Sequence, residues 1–359
     1  MNKGLLKKRL EEAPRMEPQD AVKLAFQSAF GCGHLMPSHE QGVAMLESEL
    51  AQTPVRPVPA CTPIGNGLCR LNLASAEVRE LGAEMIWRMM LATEKRVAAR
   101  EGNERRYGET VRLMGELAQG GEAPFSAKAL ETYLEAYHAQ GLRPVSHTPC
   151  YREAYQPAYR VVLEDCALLL PVIKRLEEGC ALAVFDGPCG SGKTTLGTLL
   201  AEMYETQPIT MNDFFLPPEM RTPERLREPG GNVHRERFAE EVLSRLPQER
   251  RWQRFDCGSF EMHERSLPWA RITVIEGSYS HHPSFAKAYE RLGALRVFVD
   301  VEEREQLRRI AKRDPDLLSM FQTRWIPLEK TYFEAYDIRG GADVVIPSPA
   351  NESGEERNA

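Results

Sequence analysis

Residues 187–194 read Gly-Pro-Cys-Gly-Ser-Gly-Lys-Thr, a glycine-framed run that closes on a lysine and a threonine. Glycines let the backbone bend so that successive N–H groups converge on one anion, and a following helix adds a partial positive charge at its N-terminus. In this pattern the lysine, Lys193, reaches the terminal phosphates and the Thr194 hydroxyl faces Mg²⁺. The phosphate-binding set is Gly187, Cys189, Gly190, Ser191, Gly192, Lys193, Thr194 and Thr195. The ligand that this chemistry selects is a nucleoside triphosphate, ATP or GTP, with Mg²⁺. Four further places carry polar groups suited to metal binding or proton acceptance: Asp186, Asn212-Asp213, Glu276 and Asp300.

The elements around these residues are periodic enough to place them. Ala181–Phe185 reads as a short buried strand before the glycine run, and Leu196, Leu199 and Leu200 follow it at helical spacing. Strand, loop and helix in that order are the context the motif requires. Further strands read at Pro208–Met211, Arg271–Ile275, Arg296–Val299 and Asp343–Ile346. Helices fit between them at His234–Leu246, Pro283–Leu292, Glu302–Arg313 and Leu318–Tyr336, with one at Val161–Glu178 ahead of the loop strand. Alternation of this kind predicts an α/β fold, a doubly wound parallel sheet with right-handed crossovers. Its ligand would lie beyond the carboxyl ends of the strands, where the acidic residues stand.

The first 157 residues read differently. Asp20–Phe30, Glu40–Leu50, Ala76–Ala99, Glu104–Ala118 and Ser126–Gln140 show helical periodicity, and no strand alternation longer than a few residues interrupts it. Ala51–Gly67, with Pro54, Pro57, Pro59 and Pro63, reads as a loop. Gly31-Cys32-Gly33-His34 reads as a helix stop, and Gly65-Asn66-Gly67 stands out with Arg70 close behind. Tyr151, Tyr155 and Tyr159 stand four apart among Arg152 and Arg160, which predicts a helical packing stripe between domains. A polar platform that stacks a ring is the rival reading of that cluster.

With 359 residues the chain is too long for one core, and two domains are expected: 1–157 and 158–349, with 350–359 as a disordered polar tail. A net charge of −6 argues against a general nucleic-acid binder. No signal peptide and no apolar run of roughly 20 residues is present, so the expected setting is soluble and cytoplasmic, with no membrane partner. The eight cysteines include no Cys-x-x-Cys pair and read as reduced thiols. Cys32, His34, His39, Cys61 and Cys69 fit no usual structural-zinc spacing. A homo-oligomer is left open.

From Ala181 to about Ile346 the chain resembles the uridine kinase, phosphoribulokinase and pantothenate kinase group of P-loop small-molecule kinases. The resemblance rests on the phosphate loop, Met211-Asn212-Asp213-Phe214-Phe215, Gly231-Asn232-Val233-His234, Phe255-Asp256, Ile275-Glu276-Gly277 and the basic helix Arg304–Arg313. It implies a P-loop NTPase sheet of about five strands; the mostly α-helical N-terminal domain that precedes it lies outside the resemblance. The implied reaction is ATP- and Mg²⁺-dependent phosphoryl transfer to a hydroxyl of a small nucleoside- or sugar-like metabolite. By the same resemblance Asp213 is the base, Thr194 and Glu276 organise the metal, and Asp256, Asn232 and His234 hold the substrate. Arg309 and Arg313 match the lid. Two departures stand out: Asn212 occupies one register of the base position, and His234 replaces an aspartate that holds ribose hydroxyls. A nucleic-acid-end kinase or repair NTPase, and a non-catalytic nucleotide sensor, are the alternatives.

Overall fold

The computed structural model describes residues 1–32 and 37–348, and the chain divides into two compact units, Met1–Ala167 and the part from Leu168 onward. Gly33 and His34 of the Gly-Cys-Gly-His run, and the tail 350–359, lie outside the described residues.

Helices make up most of the first unit, as the periodicity predicts, yet a three-stranded antiparallel sheet runs through it. Strands β1 (Cys61–Gly65), β2 (Leu68–Asn72) and β3 (Tyr159–Leu163) pair in that order. This corrects three sequence expectations. The proline-rich stretch Ala51–Gly67 is not wholly loop, because its end pairs with β2 through a turn in which Gly65, Asn66 and Gly67 all have positive φ. Val161–Glu178 is not one helix: β3 runs to Leu163, and helices Glu164–Leu168 and Leu170–Glu177 follow, with Pro171 in the first turn of the second. β3 also carries the first unit past the boundary expected at 157. Its partner β2 is almost ninety residues away in sequence, so no local pattern announces the pairing. Cys61 and Cys69 form a disulfide across β1 and β2, a further correction, to a chain read as all reduced thiols; the other described cysteines are free. Leu24, Ile64, Leu68, Leu71, Ile86 and Trp87 are buried where helices and sheet meet.

The second unit is a five-stranded parallel sheet with flanking helices, an α/β fold of the expected class. Its strands are β4 (Leu182–Asp186), β5 (Ile209–Thr210), β8 (Thr273–Glu276), β9 (Leu295–Asp300) and β10 (Val344–Pro347), ordered β10-β9-β4-β8-β5. A hairpin of β6 (Arg251–Phe255) and β7 (Met262–Ser266), unread in the sequence, stands between β5 and β8 in the chain. All residues of β4 and β8 are buried, which is why these strands read as apolar runs without alternation. The register aligns the functional ends: Phe185 pairs with Glu276, and Thr210 pairs with Glu276 from the other side. A core of Val184, Met211, Phe214, Phe238, Ile275 and Phe285 fixes one face of this sheet.

Among the described residues no helix is long and apolar enough to cross a membrane.

Candidate functional site

Strand β4 ends at the centre of the sheet, and the glycine loop leaves its carboxyl end for helix Lys193–Met203. The loop's shape depends on missing side chains. Gly187 has φ +140°, and a Cβ there would stand 2.3 Å from the carbonyl oxygen of Val299 on β9. No other residue type fits that approach without moving a strand. Further along, a Cβ at Gly197 would press on the Glu276 side chain at 3.2 Å, so the loop helix lies close against β8.

That closeness brings Thr194 to Glu276. The Thr194 hydroxyl donates to Glu276 Oε2 at 2.8 Å, and Glu276 is buried. A hydroxyl and a carboxylate held side by side are the hard oxygen ligands that Mg²⁺ takes alongside phosphate oxygens. Lys193 is buried and folds back over the loop, its Nζ donating to the carbonyls of Gly187 at 2.6 Å and Pro188 at 2.8 Å. Ser191 Oγ is buried with no hydrogen-bond partner among the described residues, an orphaned donor inside the loop. A buried hydroxyl of this kind calls for an acceptor, and phosphate oxygens supply one. The residues present therefore fit a nucleoside triphosphate with its Mg²⁺.

Asp213 follows β5 by three residues, in the short 3₁₀ turn Met211–Phe214. Its neighbour Asn212 is exposed while Asp213 is buried, so of the two registers left by the sequence only Asp213 turns inward. Trp252 of β6 donates its indole N–H to Asp213 Oδ2 at 2.7 Å, and Arg254 Nε stands 3.6 Å from Oδ1. Burial raises the carboxyl above its ordinary value, against the pull of Trp252, Arg254, Arg265 and Arg237. A carboxylate raised in this way is a better proton acceptor than one in water. The β6–β7 hairpin thus supplies the partners that hold Asp213, a role that nothing in its sequence marks.

Asn232 and His234 are brought beside the same turn. Leu216 N–H donates to Asn232 O at 3.1 Å and His234 N–H to Phe214 O at 2.6 Å, with Val233 bridging Phe215. The His234 ring also caps the helix Arg235–Phe238. Asp256 is placed differently. Its Oδ1 accepts from Gly258 N at 2.8 Å and Ser259 N at 3.0 Å, which shapes the hairpin turn. These two backbone bonds hold its carboxyl below the ordinary value. Asp186, one of the strand-end acids, is fully buried and has four donors: the N–H groups of Gly187, Tyr279 and His281 and the Tyr332 hydroxyl. Its carboxylate is a structural knot beneath the loop. Asp300 pairs with Arg339 at 3.0 Å.

The basic helix, Glu303–Arg313, touches the loop from its carbonyl side. Arg309 donates to Gly190 O at 3.2 Å and to Ser191 O at 3.4 Å, and its Nε is held by Glu305 at 2.6 Å. Gln306 donates to Cys189 O at 2.9 Å. Arg313, one turn on, instead pairs with Asp314 and lies over the Phe321 ring at 5.8 Å. The structure therefore puts Arg309, and not Arg313, against the loop.

Sequence reasoning misses Glu329. It sits on helix Ile326–Ala335, is buried, and accepts the Cys189 N–H at 2.8 Å on Oε2 and the Ser278 hydroxyl at 2.5 Å on Oε1. A carboxylate thus occupies one N–H of the phosphate-binding set. Burial and then Glu329 push the Cys189 thiol up, so it stays protonated and unreactive. The one signal available was a glutamate in an otherwise apolar helical stripe.

No family model matches the chain, and no curated protein matches it. Among solved structures it is similar to a possible uridine kinase from Bacillus stearothermophilus. The two are 17% identical, with a TM-score of 0.40, over 51% of this chain and 100% of that one. At this distance the functional reading rests on the geometry of the site itself.

Proposed function

We propose that the second unit is a kinase that transfers the terminal phosphoryl group of ATP or GTP, with Mg²⁺, to a hydroxyl of a small nucleoside- or sugar-like metabolite. The observation that carries the reading is the presence of three features at the carboxyl ends of the neighbouring strands β4, β8 and β5. These are the glycine loop with Lys193, the Thr194–Glu276 pair, and the buried Asp213 beyond the adjacent β5. In this reading the loop N–H groups and Lys193 bind phosphate, while Thr194 and Glu276 hold Mg²⁺, which neutralises phosphate charge when bound. Asp213 accepts the proton of the acceptor hydroxyl, and Asn232 and His234, fixed to the same turn, orient the acceptor. Arg309 holds the loop from behind through its carbonyls. Phosphoryl transfer asks mainly for positioning and charge neutralisation, which is what these residues offer.

The test is a screen of nucleosides and sugars with ATP and GTP as donors, run on the wild-type chain and on Lys193→Ala. Phosphorylated product from wild type and loss of turnover by at least about 10²-fold in a folded Lys193→Ala protein are expected. Equal turnover in the two would remove the loop from the reaction.

A further inference from the structure

The first unit contains a cavity that phosphoryl transfer does not use. Its inner part, about 180 Å³, is lined by Lys23, Gln27, Glu49, His147, Tyr159 and Arg160, among others. An outer cleft of about 510 Å³ shares Lys23, Glu49 and His147 with it and adds Arg56, Arg152 and Gln156. Together they have the size of a small-metabolite site.

The charges on its walls do not balance. Among the described residues, Lys23, Arg56, Arg152 and Arg160 face one lining carboxylate, Glu49, and that one is engaged by both terminal nitrogens of Arg160. Arg56 donates to the Gln156 side chain. The Lys23 ammonium donates to Val145 O at 2.8 Å and, among the described residues, meets no carboxylate within ion-pair distance. An ammonium has three protons to give, and a partly buried one costs free energy until an anion answers it. Burial, with Arg70 and Arg152 nearby, lowers the Lys23 pKa to about 8 against the pull of the Asp20 carboxylate.

Behind Lys23 the cavity has a fixed polar wall. Asp20 is fully buried and accepts His147 Nδ1 at 2.8 Å, Thr148 N at 3.0 Å and Thr148 Oγ1 at 2.8 Å. Burial, with Arg70 and Lys23, keeps His147 below its usual value despite Asp20, which favours the neutral ring with its Nδ1–H donating a hydrogen bond to the Asp20 carboxylate. Its Nε2 then faces the Tyr159 hydroxyl at 2.7 Å, whose single proton lies between that nitrogen and Gln27 Oε1 at 3.2 Å. Tyr151 stacks on His147 with centroids 4.1 Å apart, and Arg70 lies over the Tyr159 ring at 4.4 Å. The tyrosines expected as one stripe are therefore split between helix Pro149–Tyr155 and β3, and two of them converge on His147 inside the first unit. The Thr148, His147 and Tyr159 protons each have an acceptor, which holds this wall in place with the unbalanced cations in front of it, whereas Arg70 Nε is buried without a hydrogen-bond partner among the described residues.

We propose that this cavity binds a small metabolite through an oxyanion, a phosphate monoester or a carboxylate, with Lys23 and Arg152 as its charge partners and the His147–Tyr159 pair as its fixed wall. The first unit is then a ligand-binding module with its own specificity.

Acylation of Lys23 reads the site directly. The full-length chain is treated with limiting acetylating reagent, and the rate at each lysine is followed by peptide mass spectrometry. The probes are inorganic phosphate, ribose 5-phosphate, citrate and acetate at about 10 mM, with uncharged ribose as the control. At least one oxyanion is expected to slow Lys23 by about tenfold while exposed Lys128 is unchanged. Protection by the phosphates alone, or by the carboxylates alone, identifies the anion class. The effect should persist in Lys193→Ala, because the phosphate loop is not what is being read. Arg152→Gln, on an exposed side chain, should fold normally and weaken oxyanion affinity about tenfold, which cuts a tenfold protection to about twofold. The proposal is overturned if no oxyanion slows Lys23 more than ribose does, or if Arg152→Gln leaves the protection unchanged.

Discussion

Glu329→Gln should tighten nucleotide binding. The Glu329 carboxylate lies 2.8 Å from the Cys189 nitrogen, at an N–H that belongs to the phosphate-binding set, and it is 5% exposed. A phosphate bound in the loop would bring its oxygens to within about 5 Å of that carboxylate, and at an effective dielectric of about 20 two unit charges at this separation repel by about 3 kcal/mol. Gln retains an oxygen for the Cys189 N–H, so the variant loses only the charge-assisted part of one or two hydrogen bonds, about 1 kcal/mol. The difference, about 2 kcal/mol, corresponds to a roughly 30-fold lower Kd for Mg·ATP. Isothermal titration at fixed ionic strength measures it, with a melting curve to establish that the variant is folded. The gain should be kept at high salt, because a buried charge is screened little. An unchanged or weaker affinity in a folded variant refutes the argument. Glu329 would then be an acceptor that shapes the loop and not a charge that opposes phosphate.

Two further outcomes follow from the second unit. Asp213→Asn removes proton acceptance while keeping size and the Trp252 hydrogen bond, so kcat toward an acceptor found in the screen should fall by about 10²–10⁴-fold with nucleotide affinity unchanged; turnover within a few-fold of wild type would move the base elsewhere. His282 is buried, and burial followed by Arg235 lowers its pKa to about 4. The unfolded chain takes up that proton near pH 6.5 and the folded one only near 4, so stability is full above about pH 6.5 and falls between those values as pH drops. At pH 5 the loss is on the order of 2 kcal/mol, and His282→Phe should flatten that part of a denaturant midpoint-against-pH curve; an equal slope in both proteins would show that His282 is not its source.

The sequence by itself determined the phosphate loop, the strand before it and the helix after it, because glycine spacing and apolar periodicity are local properties. It also placed the parallel sheet, since strands buried on both faces read as short apolar runs separated by helical ones. Asp213 and Glu276 were legible as strand-end acids, but which acid does what was not. Asp186 and Glu276 look alike in sequence; the fold surrounds the first with four donors and sets the second against Thr194.

Only the tertiary structure decided the rest. The register choice between Asn212 and Asp213 depends on which side chain the turn after β5 buries, and that is set by Trp252 from a hairpin about forty residues later. Glu329 reaches the loop across some 140 residues of chain. The sheet of the first unit joins β2 to β3 across almost ninety residues, and with it comes the Asp20–His147–Tyr159 chain of hydrogen bonds. In each case the deciding contact links segments far apart in sequence. The energy of burying and pairing a polar group there depends on neighbours that no local pattern of residues records.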